Sequence, residues 1–347
     1  MAYRIAINGY GRIGRCVLRA FYESTDYADL NLVAINDIAD LRTLAHLTRY
    51  DSTHGRFLGT VEEQGEKLRI DEDVLHVFGQ SRLKDLPWAE LAIDLVMECS
   101  GTFTSRNMAE EHLAMGARKV LFSQPAESDV DATLVYGVNH ESLDASATII
   151  SNASCTTNCI VPVLKTLDDK FGIESGVITT IHSAMNDQPI IDSYHHNDLR
   201  RTRSAMQSMI PVDTELAKGI ERILPQLTGL LKAQAIRVPT VNVSAMDLTV
   251  SVKSATDLSS VNQALVEASE FLLPNVLGVT TEPLASCDFN HDPRSAIVDL
   301  SQTRVAGAKL VKLLVWFDNE WAYANRMLDV AQYLSRKSNE TQPEKGS

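Results

Sequence analysis

The chain lacks the features that would tie it to a membrane, a nucleic acid or an oxidising compartment. No apolar run in its 347 residues approaches the roughly 20 needed to span a bilayer, so no membrane role is expected. Cations are in the minority. The 32 Lys and Arg against 45 Asp and Glu leave a formal charge of −13, which disfavours a nucleic-acid partner. There are five cysteines, an odd number, widely spaced apart from Cys155 and Cys159. No disulfide framework follows, and a reducing cytoplasm is the expected setting. No internal repeat recurs, and residues 335–347 read as a polar, frayed tail. A strand opens at Tyr3, leaving no room for a signal peptide. What remains is an ordinary globular composition, 44% hydrophobic and 22% charged, in a length that accommodates two domains.

Residues 4–8 read as a buried parallel strand. Gly9-Tyr10-Gly11-Arg12-Ile13-Gly14 follows at once, then a helix with apolar positions Ile13, Val17, Leu18 and Phe21. The glycines allow a tight turn and close backbone approach, and the helix N-terminus can receive a pyrophosphate. A second strand, residues 30–35, ends at Asn36-Asp37. An acid there reaches the adenosine ribose hydroxyls and repels a 2′-phosphate, favouring NAD over NADP; the alternative is a loop or cap residue. Strand-like runs at 94–99 and 119–122 end at Ser100-Gly101 and Ser123. Open α/β sheets bind ligands beyond the carboxyl ends of their strands. Ser100, Gly101 and Ser123 are therefore expected on the cofactor side with Asn8, Gly9, Gly11, Arg12, Ile13 and Asp37. Residues 58–77 read as a β-hairpin insertion.

The second half carries reactive groups. In Ser151-Asn152-Ala153-Ser154-Cys155-Thr156-Thr157-Asn158-Cys159, Cys155 stands where a strand-like run gives way to a helix-like one. The unpaired N–H groups opening the helix favour a thiolate, which attacks carbonyls and has its oxyanion stabilised by the same donors. The plainer alternative is a small buried cysteine followed by a cap. Residues 176–182 read as a strand ending in His182, suited to act as a base near neutral pH, to pair with a thiolate, or to serve structurally. Residues 198–203 form a cationic cluster, a solvated run or subunit contact if it binds nothing. Arg237 lies within an apolar strand and needs a partner, such as a phosphate held bidentately. Near the end, Asp318 or Asn319 is placed to cap a helix running through residue 334.

The Ser151-to-Cys159 block resembles the active-site segment of the glyceraldehyde-3-phosphate dehydrogenase family, and the likeness runs from about residue 3 to about residue 330. It implies an α/β protein, with a Rossmann-type doubly wound parallel sheet over residues 1–154. An α+β catalytic domain with a mixed or antiparallel sheet would occupy residues 155–318. Residues 319–347 would form a C-terminal helix returning to the nucleotide domain, with a frayed tail. The resemblance implies Cys155 as nucleophile and His182 as base and oxyanion donor. It implies Ser154, Thr156, Arg201, Thr214 and Arg237 as substrate contacts, the two arginines being an anion-binding pair. Asn319 would hold the nicotinamide carboxamide. NAD as cofactor, no metal and a homotetramer are implied as well. Cys159 reads as structural, since CxxxC fits neither a dithiol pair nor a zinc knuckle.

The departures lie at the substrate site. After His182 the chain reads Ser183-Ala184-Met185, where glycolytic members usually carry Ala-Tyr-Thr; Met185 cannot donate a hydrogen bond. The loop Pro211-Val212-Asp213-Thr214-Glu215 replaces the usual Thr-Gly ending and adds two carboxylates near an expected phosphate seat. These spellings resemble the branch of the family that acts on erythrose 4-phosphate. That likeness implies a phosphorylated aldose substrate, a cysteine thioester hydrolysed by water to 4-phospho-D-erythronate, and a place in pyridoxal 5′-phosphate synthesis. Two alternatives stay open: the phosphorylating glycolytic reaction, and a thiol redox sensor or binding protein on the same fold.

Overall fold

Six residues, Tyr3–Asn8, form strand β1, and all but Arg4 are buried, as a strand covered on both faces requires. The computed structural model describes residues 2–195 and 198–340. Two units divide the chain: Met1–Ser154 with Ala324–Ser347, and Cys155–Tyr323.

In the first unit β1 is followed by α1 (Arg12–Glu23), β2 (Leu30–Asn36) and α2 (Leu41–Arg49). Next come a two-residue ladder of β3 (Tyr50–Asp51) with β4 (Gly55–Arg56), then β5 (Val61–Gln64), β6 (Lys67–Ile70), β7 (Asp73–Phe78) and β8 (Leu95–Glu98). The remainder is α3 (Arg106–Ala114), β9 (Lys119–Phe122), β10 (Ala132–Thr133) and β11 (Ile149–Ser151). The sheet order is β10-β11-β9-β8-β1-β2-β7-β6-β5. Pairs from β10 to β7 are parallel, and only the β7–β6 and β6–β5 pairs are antiparallel. From β1 the chain first moves outward through β2, then returns to the opposite side at β8. The order therefore reverses between β1 and β8, where doubly wound sheets open a ligand crevice. The expected hairpin insertion is instead a three-stranded meander. Its last strand, β7, pairs in parallel with β2 because its register continues the first sheet's ladder.

Two glycines set the turn after β1. Gly9 has φ +88, and a Cβ there would lie 2.3 Å from the Ser100 backbone, so the turn rests directly on the chain leaving β8. A Cβ on Gly14 would lie 2.2 Å from the Gly9 carbonyl oxygen, so α1 packs close against its own turn.

The second unit begins with α4 (Cys155–Phe171), β12 (Ile173–His182), β13 (Ile210–Val212), α5 (Leu216–Ile223), β14 (Leu231–Arg237) and β15 (Ser244–Val252). It continues with α6 (Leu258–Glu267), β16 (Leu277–Thr280), β17 (Ala296–Asp299), β18 (Arg304–Ala306) and β19 (Leu310–Phe317). The sheet is mixed, in the order β13-β14-β12-β15-β19-β17-β16, with β18 on β19. The β12–β14 pair is parallel and the β12–β15 pair antiparallel, so β12, which ends at His182, is an inner strand paired on both sides. Helix α4 buries most of its apolar side chains.

The last helix, α7 (Trp321–Glu340), is capped by Asp318, whose Oδ1 accepts from the N–H groups of Glu320 (2.9 Å) and Trp321 (2.8 Å). From Ala324 onward α7 belongs to the first unit. There Asp329 accepts from Tyr27 (3.1 Å), and Gln332 donates to Asp29 (2.6 Å). The helix continues past residue 334, so residues 335–340 are helical rather than frayed, while residues 341–347 lie outside the described residues. No helix of the described residues is long and apolar enough to cross a membrane.

Candidate active site

In the second unit Cys155 opens α4 and His182 closes β12, which brings Cys155 Sγ within 3.9 Å of His182 Nε2. The other ring nitrogen, Nδ1, lies 2.8 Å from the Ser183 carbonyl oxygen. A carbonyl can only accept, so Nδ1 carries the proton and the Nε2 lone pair faces the sulfur. Two residues before the cysteine, Ala153 adopts φ +54, a left-handed turn that a residue with a Cβ rarely takes.

The surroundings favour the neutral form of both partners. Burial pushes the Cys155 thiol up to about 11, against the pull of the Thr156 and Cys155 N–H groups, and the Asp318 and Glu320 carboxylates add to the rise. Burial also lowers the His182 imidazole, and the nearby Arg237 charge lowers it further. Burial thus works against the thiolate that the helix N-terminus favours. Desolvation outweighs the helix N-terminus here. Cys159 is fully buried, which raises its thiol well above the ordinary range.

Arg237, the last residue of β14, stands opposite His182 in the parallel ladder and is 7% exposed. Its guanidinium donates to Asp187 Oδ1 at 2.7 Å, and Arg201 donates to the other oxygen of the same carboxylate at 3.1 Å. Arg201 Nε also lies 3.3 Å from Asp198. The two arginines are therefore brought together, but around an acid of the chain itself. Thr214 Oγ1 accepts from Leu216 N–H at 3.2 Å at the start of α5, a bond that leaves the hydroxyl proton for another acceptor. Met185 is 47% exposed, with its N–H on Gln188. Glu215 is not the uncompensated charge that was expected. Its carboxylate pairs with Lys218 at 2.6 Å, and both side chains are exposed. Ser154 and Thr156 flank Cys155 in sequence, and the Thr156 N–H bears on the thiol.

Asn319 follows the capping Asp318. Its Oδ1 accepts from Ser183 Oγ (3.1 Å) and Ser244 Oγ (3.0 Å). Two hydroxyl donors on one amide oxygen fix the orientation of the side chain, leaving the NH₂ group as the end available to a ligand.

In the first unit the turn residues Asn8, Gly9, Gly11, Arg12 and Ile13 gather at the carboxyl ends of β1 and β8 with Ser100 and Gly101. Ser123 N–H donates to the Glu98 carbonyl at 3.0 Å, placing it at the same edge. Asp37 accepts from the N–H groups of Tyr10 (2.7 Å) and Ala39 (2.9 Å), one on each oxygen. Arg12 pairs with Asp51. The arrangement fits a dinucleotide. A Cβ on Gly11 would meet nothing within 4 Å, so the space over the turn is open, and Gly11 at the N-cap of α1 brings no side chain of its own to cap the helix.

Sequence reasoning passed over four residues that these contacts bring forward: Asp187, Ser183, Ser244 and Glu98. Glu98 had a signal, a carboxylate inside the apolar strand Leu95–Glu98. Asp187 and the serines are ordinary loop and strand polar residues whose partners lie tens of positions away.

Comparison with protein families gives two matches. One family model, described as glyceraldehyde 3-phosphate dehydrogenase, NAD binding domain, covers residues 3–106. Another, described as glyceraldehyde 3-phosphate dehydrogenase, C-terminal domain, covers residues 154–319.

Proposed function

The chain belongs to the glyceraldehyde 3-phosphate dehydrogenase family and binds NAD, and from that premise we propose that it oxidises D-erythrose 4-phosphate to 4-phospho-D-erythronate, with water as the final acceptor. The observation that carries the choice of acceptor is the environment of Arg201. Its guanidinium is shared between Asp187 (3.1 Å) and Asp198 (3.3 Å), so its charge is already met by two carboxylates. A free inorganic phosphate seeking that seat has to displace an internal anion, whereas neutral water does not. Met185 offers no donor to replace one. Arg237, more deeply buried, is held at 2.7 Å by Asp187 alone among the described residues, and a phosphate carried in as part of the substrate would have only that one carboxylate to displace.

The residues then act as follows. His182 Nε2 takes the Cys155 thiol proton as the sulfur adds to the aldehyde carbon. The same imidazolium, with the Cys155 N–H, stabilises the oxyanion and returns the proton to it. Bound NAD supplies the hydride acceptor. As hydride leaves the thiohemiacetal carbon, His182 takes the hydroxyl proton and a thioester to Cys155 remains. The imidazolium then gives this proton to solvent. Neutral His182 takes a proton from water as its oxygen adds to the thioester carbon, and returns it to the sulfur as the carbon–sulfur bond breaks, releasing the thiol and the free acid. The Asn319 NH₂ group, whose Oδ1 is held by Ser183 and Ser244, would hold the nicotinamide carboxamide.

One observation favours the phosphorylating alternative: the pairing of Glu215 with Lys218 removes part of the expected repulsion. We propose a homo-oligomer as well. Ile190, Ile191, Tyr194, Leu199 and Met209 lie in one stretch of the second unit and are 76 to 86% exposed, an apolar surface that a second copy of the chain would cover.

Steady-state NADH formation across a phosphate titration tests the acceptor, with the product identified by mass. Turnover of erythrose 4-phosphate without phosphate, yielding the free acid, is expected. An absolute phosphate requirement with an acyl-phosphate product returns the assignment to the glycolytic reaction.

A further inference from the structure

The carboxyl edge of the first sheet rests on a buried polar rung. Asn36, Asn8 and Glu98 are the last residues of β2, β1 and β8 and are direct partners across the parallel ladder. Their side chains are joined. Asn36 donates to Asn8 Oδ1 at 2.7 Å, and Asn8 donates to Glu98 Oε2 at 2.5 Å. Gln80 closes the far end, with its N–H on Asn36 Oδ1 (2.8 Å) and its carbonyl accepting from Asn36 Nδ2 (3.0 Å). The rung one residue earlier, Ile35, Ile7 and Met97, is apolar and fully buried. Polarity is thus confined to the level that meets the ligand crevice.

Glu98 is the centre of this arrangement and is itself fully buried. Its Oε1 accepts from the Ser100 N–H at 2.8 Å. Its Oε2 also meets His112 Nε2 at 3.0 Å. His112, on α3 and equally buried, receives the Trp88 indole N–H on Nδ1 at 2.9 Å. Indole can only donate, so Nδ1 is unprotonated and Nε2 carries the proton that His112 gives to Glu98. Three donors from β1, α3 and the loop after β8 therefore converge on one carboxylate. Such a network does not need to add stability over apolar packing, but it fixes direction, which packing alone does not.

We propose that Glu98, backed by His112, is a positioning residue for NAD. It holds the Asn8 carboxamide and the Ser100 backbone, on the two sides of the switch point between β1 and β8, where a dinucleotide meets them. Ser100 in turn supports the turn after β1, because a Cβ on Gly9 would lie 2.3 Å from its backbone. The inference rests on NAD binding, which titration of the unmodified protein checks separately.

The test is calorimetric titration of the full chain with NAD. Glu98→Gln keeps the size of the side chain but turns an NH₂ group towards one of the three donors, leaving a buried donor unpaired. The dissociation constant should rise about 10- to 100-fold, the scale typical of residues that orient a binding group. In steady state the loss should fall on KM for NAD more than on kcat, and Cys155 alkylation in cofactor-free protein should keep its rate. His112→Gln, which leaves the crevice residues in place, should raise the constant in the same direction by less. An unchanged constant in folded Glu98→Gln overturns the proposal, even if the melting temperature falls. Should that variant fail to fold, an unchanged constant in His112→Gln overturns it.

Discussion

His182 Nε2 faces Cys155 Sγ at 3.9 Å with a lone pair rather than a proton, because the Ser183 carbonyl holds the proton on Nδ1. This makes the histidine a base towards the cysteine. Burial, which raises the thiol and lowers the imidazole, favours an uncharged pair.

A pH dependence follows. The thiol sits near 11, so the thiolate fraction in cofactor-free protein grows as pH rises towards that value. Alkylation of Cys155 by iodoacetamide should therefore quicken about tenfold per pH unit between roughly pH 7 and 9. On the acid side, the lowered His182 stays unprotonated below its ordinary range, so base catalysis should persist there too. A rate already level at pH 7 would show a resting thiolate and refute the neutral pair.

Cys155→Ser should abolish dehydrogenase turnover while NAD binding survives, since an alcohol is a far weaker nucleophile at neutral pH and its ester a poorer acyl donor. His182→Asn should slow single-turnover hydride transfer by about 10²- to 10⁴-fold, the usual loss for a general base. Stopped-flow absorbance of NADH measures both. Near-normal turnover in either variant removes that residue from the mechanism.

Asp37 should set NAD over NADP. Its two oxygens are anchored by the Tyr10 and Ala39 N–H groups, which aim the carboxylate and leave lone pairs for a ribose hydroxyl. Asp37→Ala should weaken NAD binding and narrow the preference against NADP. It should also cost some thermal stability, because two backbone donors lose their partner. Comparing kcat/KM for the two cofactors decides. Equal use of both by the unmodified protein contradicts the assignment.

Asp187 should govern how inorganic phosphate is felt. Asp187→Asn removes the carboxylate shared by Arg201 and Arg237, leaving both guanidiniums more open to external anions. Phosphate should then inhibit or engage the enzyme at concentrations about tenfold lower, the scale of one charge-assisted contact. Met185→Thr with Glu215→Gly should act in the same direction, but more weakly, since Glu215 already pairs with Lys218. Phosphate titration of NADH formation reads the change, and an unaltered response in Asp187→Asn contradicts it.

Much of the first unit was legible in the residues, because its signals are local. The glycine turn follows a continuous apolar strand, and periodicity marks the helix after it. Periodicity reads the meander as a hairpin because β7 owes its place to pairing with β2, where partners such as Ala34 and His76 are 42 positions apart. Cys155, His182, Arg201, Arg237 and Asn319 stood out through motif likeness and through residue types that are costly to bury.

The sequence by itself determined the α/β class and the strand–glycine-turn–helix unit that opens the chain, and it singled out the side chains of reactive type, since each depends on neighbours a few positions apart. Tertiary structure alone decided the protonation and the partners of those side chains. It raised the thiol by desolvating it, gave Arg201 and Arg237 a common acid in Asp187, and turned Glu215 towards Lys218. It also joined Asn36, Asn8 and Glu98 across three strands. Charge and hydrogen bonding depend on distance in space, and residues 50 or 90 positions apart meet only when the strands carrying them come into register.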